Sequence, residues 1–462
     1  MRRGPIFPDR LRIAPRRSVA LALLLAVVPG PRAWAAEPAP AAVVPLSLAG
    51  AVQSAVSGSA PVMLAELRTR EAGGRQAQTR AVLLPGLSGS ASMINRTFSL
   101  AALGLTFPRA PGTAATPDVV GPFDVVDARV RATQTLFDYA GWVRVREAGA
   151  GVRLSEAERG QSVEGAAQVA ALAYLRAARE QAVVDARGAD LDLARQLQAL
   201  AEEQRKAGVS PGIDVTRART QIAAARGQMV VAENQLERAR MDLARALGLD
   251  PATRFELSDT LSADLGASPA PGDSQSALAL ALEQRPELRA ERLRLLRARS
   301  ERAAIAAERL PRIEASADVG LSGQAWPGSS TTRQVGIAAS VPLLDGLRRE
   351  GRLTEQRALI GEAEIRARDL EQQIAAEVEG ALLDLASGRE LQVVSAERLG
   401  LAAEELAQAR ERFTSGVASN IEVINAQSSL VRARDAEIDA RFAIGAARVS
   451  LARATGVCRS IH

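Results

Sequence analysis

A stretch of this chain recurs 208 positions further on, and that duplication limits the fold more than any other feature. Gly208-Val209-Ser210-Pro211-Gly212-Ile213-Asp214-Val215 returns as Gly416-Val417-Ala418-Ser419-Asn420-Ile421-Glu422-Val423. At the same offset LARALG at 243–248 returns as LARATG at 451–456, and Tyr174-Leu175 returns as Leu382-Leu383. The unit is far longer than the ~20–50 residues of a solenoid repeat, so each copy is a structural half of a pseudo-symmetric molecule. Upstream, Pro61 and Pro286 open similar helical segments, each running to a Leu-Pro step at Leu84-Pro85 and Leu310-Pro311. The offset there is larger, so the length difference between the halves lies within 86–138 against 312–345. Insertions concentrate in exposed loops, and one is expected in that interval. The expected boundaries are a first repeat at 37–248 (short helices, two strands, a long helical hairpin), a linker at 249–273, a second repeat at 274–456 and a C-terminal tail at 457–462.

Residues 1–36 read as a secretory signal. Arg2, Arg3, Arg10, Arg12, Arg16 and Arg17 precede an apolar stretch from Val19 to Val28, then Pro29-Gly30-Pro31 and Ala33-Trp34-Ala35 with small residues at the cleavage positions. The apolar stretch is too short to span a bilayer, and no other reaches about 18 residues, so no transmembrane helix is expected in the mature chain. An exported chain of this kind is either periplasmic or crosses a membrane as a β-barrel. With a single cysteine, Cys458, it forms no internal disulfide and is held together by packing.

The packing is helical. Hydrophobic residues make up 47% of the chain and aromatics only 3%, a poor supply for a compact core but a good one for helices in close contact along their length. No proline falls between Pro122 and Pro211 or after Pro342, which leaves room for very long helices. Positions 374, 381, 388, 395, 402 and 409 hold Ile, Ala, Gly, Ser, Ala and Ala, and positions 378, 385, 392, 399, 406 and 413 hold Val, Leu, Gln, Leu, Leu and Phe. This heptad, interrupted only by Gln392, predicts a coiled-coil helix over about 346–415, roughly 105 Å long at ~1.5 Å per residue. Its counterpart over about 140–207 has a less regular heptad and several glycines. Gly208 and Gly416 suit C-terminal caps, and return helices are expected over about 213–247 and 420–456. Each half is then a long antiparallel hairpin.

Between the helices the period changes. Ile313, Ala315, Ala317, Val319 and Leu321 alternate with Glu314, Ser316, Asp318 and Gly320, and Val335, Ile337, Ala339, Val341 and Leu343 alternate with Gln334, Gly336, Ala338 and Ser340. These are strands with one apolar face and one small or polar face. Residues 87–107 and 121–138 supply the corresponding pair in the first half, with loops at 108–120 and 323–331. Four strands of about ten residues have membrane length but cannot close a barrel, so spanning strands require several chains to share one.

In this order, with this duplication and the turn motif GVxxxI(D/E)V, residues 46–456 resemble the TolC-like outer-membrane efflux proteins. The resemblance implies a mainly α fold with a small β part. Duplicated long hairpins would form an α-barrel tunnel, and four strands per chain would enter a trimeric 12-stranded transmembrane barrel. It implies a passive homotrimeric exit duct of a tripartite efflux or type I secretion system. Such a duct sits in the outer membrane with a periplasmic helical extension, docked on a periplasmic adaptor (membrane fusion) protein and an inner-membrane transporter. By position, Gly208, Val209, Ser210, Gly416, Val417 and Ser419 are the implied adaptor contacts at the hairpin turns. The implied periplasmic gate lies beside them. Glu422 takes the first acidic position of the family gate and Asn425 stands where a second carboxylate often sits. Asp214 matches Glu422 in the first repeat, and Arg217 is placed to pair with these carboxylates. Three like charges around one opening repel each other and attract cations; alternatively, Asp214 and Glu422 are simply favourable charges near helix N-termini.

Other classes find less support. The net charge of +5 is spread among interleaved acids and arginines, with no basic run carrying aromatics, so no nucleic-acid partner is expected. The sole histidine, His462, ends the chain, and no metal cluster, phosphate loop or nucleophile constellation appears; no enzyme activity, cofactor or metal is expected. Trp142, beside Tyr139, suits either a membrane-interface aromatic or a core position. The alternative readings are an exported periplasmic coiled-coil adaptor, which would carry one hairpin inside a small β domain, or a soluble structural coiled coil without paired strands.

Overall fold

The structure, a computed structural model, describes residues 44–99, 102, 119–262 and 264–461. The expected signal segment with Trp34, residues 100, 101 and 103–107 of the first expected strand, residues 108–118 of its loop, and His462 lie outside the described residues.

The first half runs β1 (Val44–Leu46), α1 (Leu48–Gly58), α2 (Ala60–Ala81), β2 (Gly86–Ser99), β3 (Val119–Phe137), α3 (Tyr139–Lys206) and α4 (Gly212–Leu247). After β4 (Phe255–Leu257) come α5 (Ser274–Gln284), α6 (Pro286–Ala307), β5 (Arg312–Gly323), β6 (Ser330–Ser340), α7 (Arg348–Thr414) and α8 (Asn420–Thr455). From α1 and from α5 onward the same sequence of elements is traversed twice.

The long helices pack as antiparallel pairs, α3 with α4 and α7 with α8. On α7 the predicted stripe is the buried one: Ile374, Val378, Ala381, Leu385, Gly388, Ser395, Ala402, Leu406, Ala409 and Phe413 are all buried. Small first positions let α8 come close; a Cβ on Gly388 would stand 3.2 Å from Ile444 Cγ1. Helix α3 is unbroken over 68 residues despite its glycines. It touches α1, α2, α4, α6 and α8, and a Cβ on Gly160 would stand 3.2 Å from Pro286 Cβ. Its small residues therefore serve several neighbours rather than one seam.

Leu48–Ala81 is long and apolar enough by composition to cross a membrane, contrary to the expectation that no such stretch follows the signal. The segment instead divides at Ser59 into α1 and α2, and the apolar residues of α1 (Leu48, Ala51, Val52 and Ala55) are buried in a core with α3. The 249–273 connection contributes β4, which pairs in parallel with β1 in a two-stranded sheet. The fully buried Tyr174 holds this sheet to α3. Its hydroxyl donates to the Leu46 carbonyl at 2.9 Å and lies 3.1 Å from Asp259 Oδ2. Burial, and next the neighbouring Asp259, push its pKa up to about 12.

The remaining strands form one antiparallel sheet in the order β2-β3-β5-β6. Its register places Ser88, Ser90, Ser92, Asp127, Arg129, Arg131, Asp318 and Gln334 on one face. Leu87, Met93, Val130, Val319, Leu321, Val335 and Ile337 lie on the other and are exposed, Val335 to 82%. β6 stops at Ser340, so Val341 and Leu343, expected in the strand, lie beyond it. Pro342 between them has no N–H to continue a ladder. Trp142 is 63% exposed and Tyr139 49%, so the core alternative for Trp142 does not hold in the protomer.

Candidate functional site

Both long hairpins reverse in the same way. Gly208 (φ 73°) and Gly416 (φ 70°) follow α3 and α7 in the left-handed conformation. The Gly208 and Val209 N–H groups donate to the Arg205 and Gln204 carbonyls, each at 3.0 Å, and Gly416 and Val417 donate likewise to Phe413 and Arg412 at 3.1 and 3.0 Å. This double closure satisfies carbonyls that a helix end leaves free, and only glycine adopts that φ without strain. Repeat of the sequence motif is thus repeat of a turn.

The two turns adjoin. A Cβ on Gly416 would stand 3.3 Å from Val209 Cγ1. Gln204 Nε2 donates to the Thr414 carbonyl at 3.3 Å, and the buried Asn420 donates through Nδ2 to the Asp214 carbonyl at 3.0 Å. One hairpin end is therefore fastened to the other by side chains that the sequence motif did not single out. Gly208, Val209, Gly416, Val417 and Ser419 are exposed and Ser210 is half-buried, which leaves a bare surface at this end.

The two repeat-related acids differ. Asp214 is 4% exposed in the first turn of α4. Its carboxylate accepts from Ser210 Oγ at 2.7 Å and pairs with Arg217 Nη1 at 3.4 Å. Glu422, in the first turn of α8, keeps 46% of its side chain exposed and pairs with Arg412 Nε at 3.3 Å. Within the protomer Arg217 pairs with Asp214, three residues away on the same helix, whereas Glu422 lies on α8 with a nearer cation across its own turn. Asn425 is exposed and makes no hydrogen bond among the described residues. Arg412, which sequence reasoning missed, was findable as the cation opposite Glu422 across a tight antiparallel turn. Just above, Glu202 receives Gln198 Nε2 at 2.9 Å and Arg219 at 3.2 Å; these partners, Gln198 first, hold its carboxyl below the ordinary range. Among the described residues, no group of three or more His, Cys, Asp or Glu side chains is placed to hold a metal ion.

A long helical body carrying an antiparallel sheet with one bare apolar face and two edges unpaired among the described residues is the architecture of an outer-membrane channel protein. The family model described as "Outer membrane efflux protein" matches residues 51–249 and 277–457. The chain belongs to that family. It resembles Protein CyaE of Bordetella pertussis, 25% identical over 272 residues, or 58% of this chain and 56% of CyaE; the match thus spans little more than half of that relative. Its fold is that of the CmeC outer membrane channel of Campylobacter jejuni, with a TM-score of 0.75, 16% identity and coverage of 89% of this chain and 85% of CmeC. The outer membrane protein VceC of Vibrio cholerae shares it too, with a TM-score of 0.70, 20% identity and coverage of 88% and 96%. The adaptor alternative, with a single hairpin inside a β domain, does not fit two hairpins of equal rank.

Proposed function

We propose that the chain is one third of a homotrimeric, passive exit duct in the outer membrane. Each protomer lends four strands to a shared barrel and four long helices to a periplasmic tunnel. The observation that carries this reading is the four-stranded sheet with free edges at β2 and β6. Its exposed apolar face suits lipid, yet a bilayer admits no strand edge, so the edges must meet those of other copies. The tunnel ends at the paired hairpin turns, where a periplasmic adaptor docks on the exposed turn residues and an inner-membrane pump supplies the energy. The duct itself turns nothing over. The pump is of the tripartite efflux or the type I secretion class.

Glu422 gates the aperture in this reading. Three copies bring three partly exposed carboxylates around one opening, each leashed by its own Arg412. Asp214, buried and bonded to Ser210 and Arg217, acts as a brace for the turn after α3, and Asn420 ties the turn after α7 to it. Current through the purified full chain in planar bilayers tests the gate. In a tenfold KCl gradient the parent is expected to prefer cations, and Glu422→Gln to bring the reversal potential toward zero. Arg412→Gln, which frees Glu422, should raise the cation preference. Unchanged reversal potentials in both variants would remove Glu422 from the gate.

A further inference from the structure

At the junction of barrel and tunnel, a cavity of about 410 Å³ opens between the start of α3, the end of α6 and the start of α7. Four arginines line it: Arg144, Arg312, Arg348 and Arg349. Three carboxylates line it as well, but each is already engaged. Asp138 Oδ1 accepts from the Gly141 N–H at 2.8 Å and caps α3. Glu308 is held by Arg144 and, at 2.9 Å, by Arg352. Asp345 Oδ2 accepts from the Arg349 N–H at 3.2 Å.

The cations are unevenly satisfied: Arg144 pairs with Glu308 and Arg312 Nη2 with Glu314 at 3.1 Å, but two others are not fully engaged. Arg349 is 7% exposed, its Nε finds no hydrogen-bond partner, and its ionic contact with Asp345 is 3.6 Å long. A buried guanidinium nitrogen without an acceptor is costly and rare. Arg348 is exposed and pairs with no carboxylate among the described residues. Both stand in the first turn of α7, a 67-residue helix whose N-cap, Leu347, offers no side-chain acceptor, so that only Asp345, through the Arg349 N–H, and Glu350 in the first turn offset its positive end. The helix terminus adds its own positive end to theirs.

We propose that this cavity is an oxyanion site that takes a phosphate group carried by a molecule inside the duct. It faces the lumen, because Arg312 and Ser340, which line it, belong by register to the polar face of the sheet. Arginine forks suit phosphate geometry. In the trimer, three such sites ring the base of the barrel. The inference rests on the duct reading above.

Block of single-channel current by sodium tripolyphosphate tests it, with the purified full chain in planar bilayers. The parent is expected to show concentration-dependent block. Arg348→Glu, at an exposed position, is expected to raise the half-blocking concentration by about tenfold or more, the scale of one charge-assisted hydrogen bond. Arg312→Gln, a milder change, should shift it the same way. Equal block of parent and variants, or no block of a conducting parent, overturns the site. Phospholipid retained by the parent and lost by Arg348→Glu in native mass spectra, with no current block, would put the cavity on the lipid side and overturn the lumenal assignment. A parent that never conducts would instead overturn the duct reading.

Discussion

At the scale of single residues, identical positions in the two repeats have been given different work. Asp214 and Glu422 stand at the same place in the same turn, but Ser210 covers the first with a hydroxyl while Ala418, its counterpart, leaves the second uncovered. Ser210 and Arg217, replaced in the second repeat by Ala418 and Asn425, thus accompany a buried carboxylate in one turn and an exposed one in the other. Cys458 shows burial acting on chemistry. It is fully buried, and its thiol is pushed up to about 12 by burial first and by the nearby Glu164 second. The Cys458 N–H donates to Glu164 Oε2 at 2.8 Å, tying the C-terminal segment to α3. Because the thiolate is the reactive form, maleimide at pH 8 is expected to leave the native protein unlabelled and to label it once denatured, as mass spectrometry reads. Rapid labelling of the native chain would mean that the C-terminal segment is not docked.

At the scale of elements, α7 was legible and α3 less so, for a physical reason. A heptad records one continuous partner. α7 buries a single stripe, mostly against α8, and its sequence shows that stripe plainly. α3 meets five helices along its length, so its small residues follow no single period. The parallel β1–β4 pair was not legible at all, since three-residue strands are too short for an alternation to register. Nor was the clasp between α3 and α8. There Asp190 is 3% exposed and pairs with Arg187 at 3.0 Å and with Arg434, while Arg187 reaches Asp435 at 2.6 Å. Acids and arginines on helices look alike in sequence whether they face water or each other. Asp190→Ala leaves two poorly solvated arginines short of a partner and is expected to cost about 3 kcal/mol. Asp192→Ala, which breaks only the exposed pair with Arg195, should cost less than about 0.5 kcal/mol. Denaturant unfolding of both variants in detergent checks this, and equal midpoints would show that the clasp does not hold α3 to α8.

At the scale of the whole molecule, the chain is an incomplete object. Its helical body has a buried core of its own, whereas its sheet exposes Val335, Ile337 and Leu87 on one face and, among the described residues, leaves both edges unpaired. The number and alternation of strands already carried that message in the sequence. In the proposed trimer, which edge meets which, and how the turns surround an aperture, depend on contacts between chains that no single sequence period encodes. Those contacts are the central claim, and the mass of the detergent-solubilised full chain, by light scattering or native mass spectrometry, tests them most directly. A particle of three chains recovered from the outer-membrane fraction is the predicted result; a monomer or dimer recovered without detergent would contradict it.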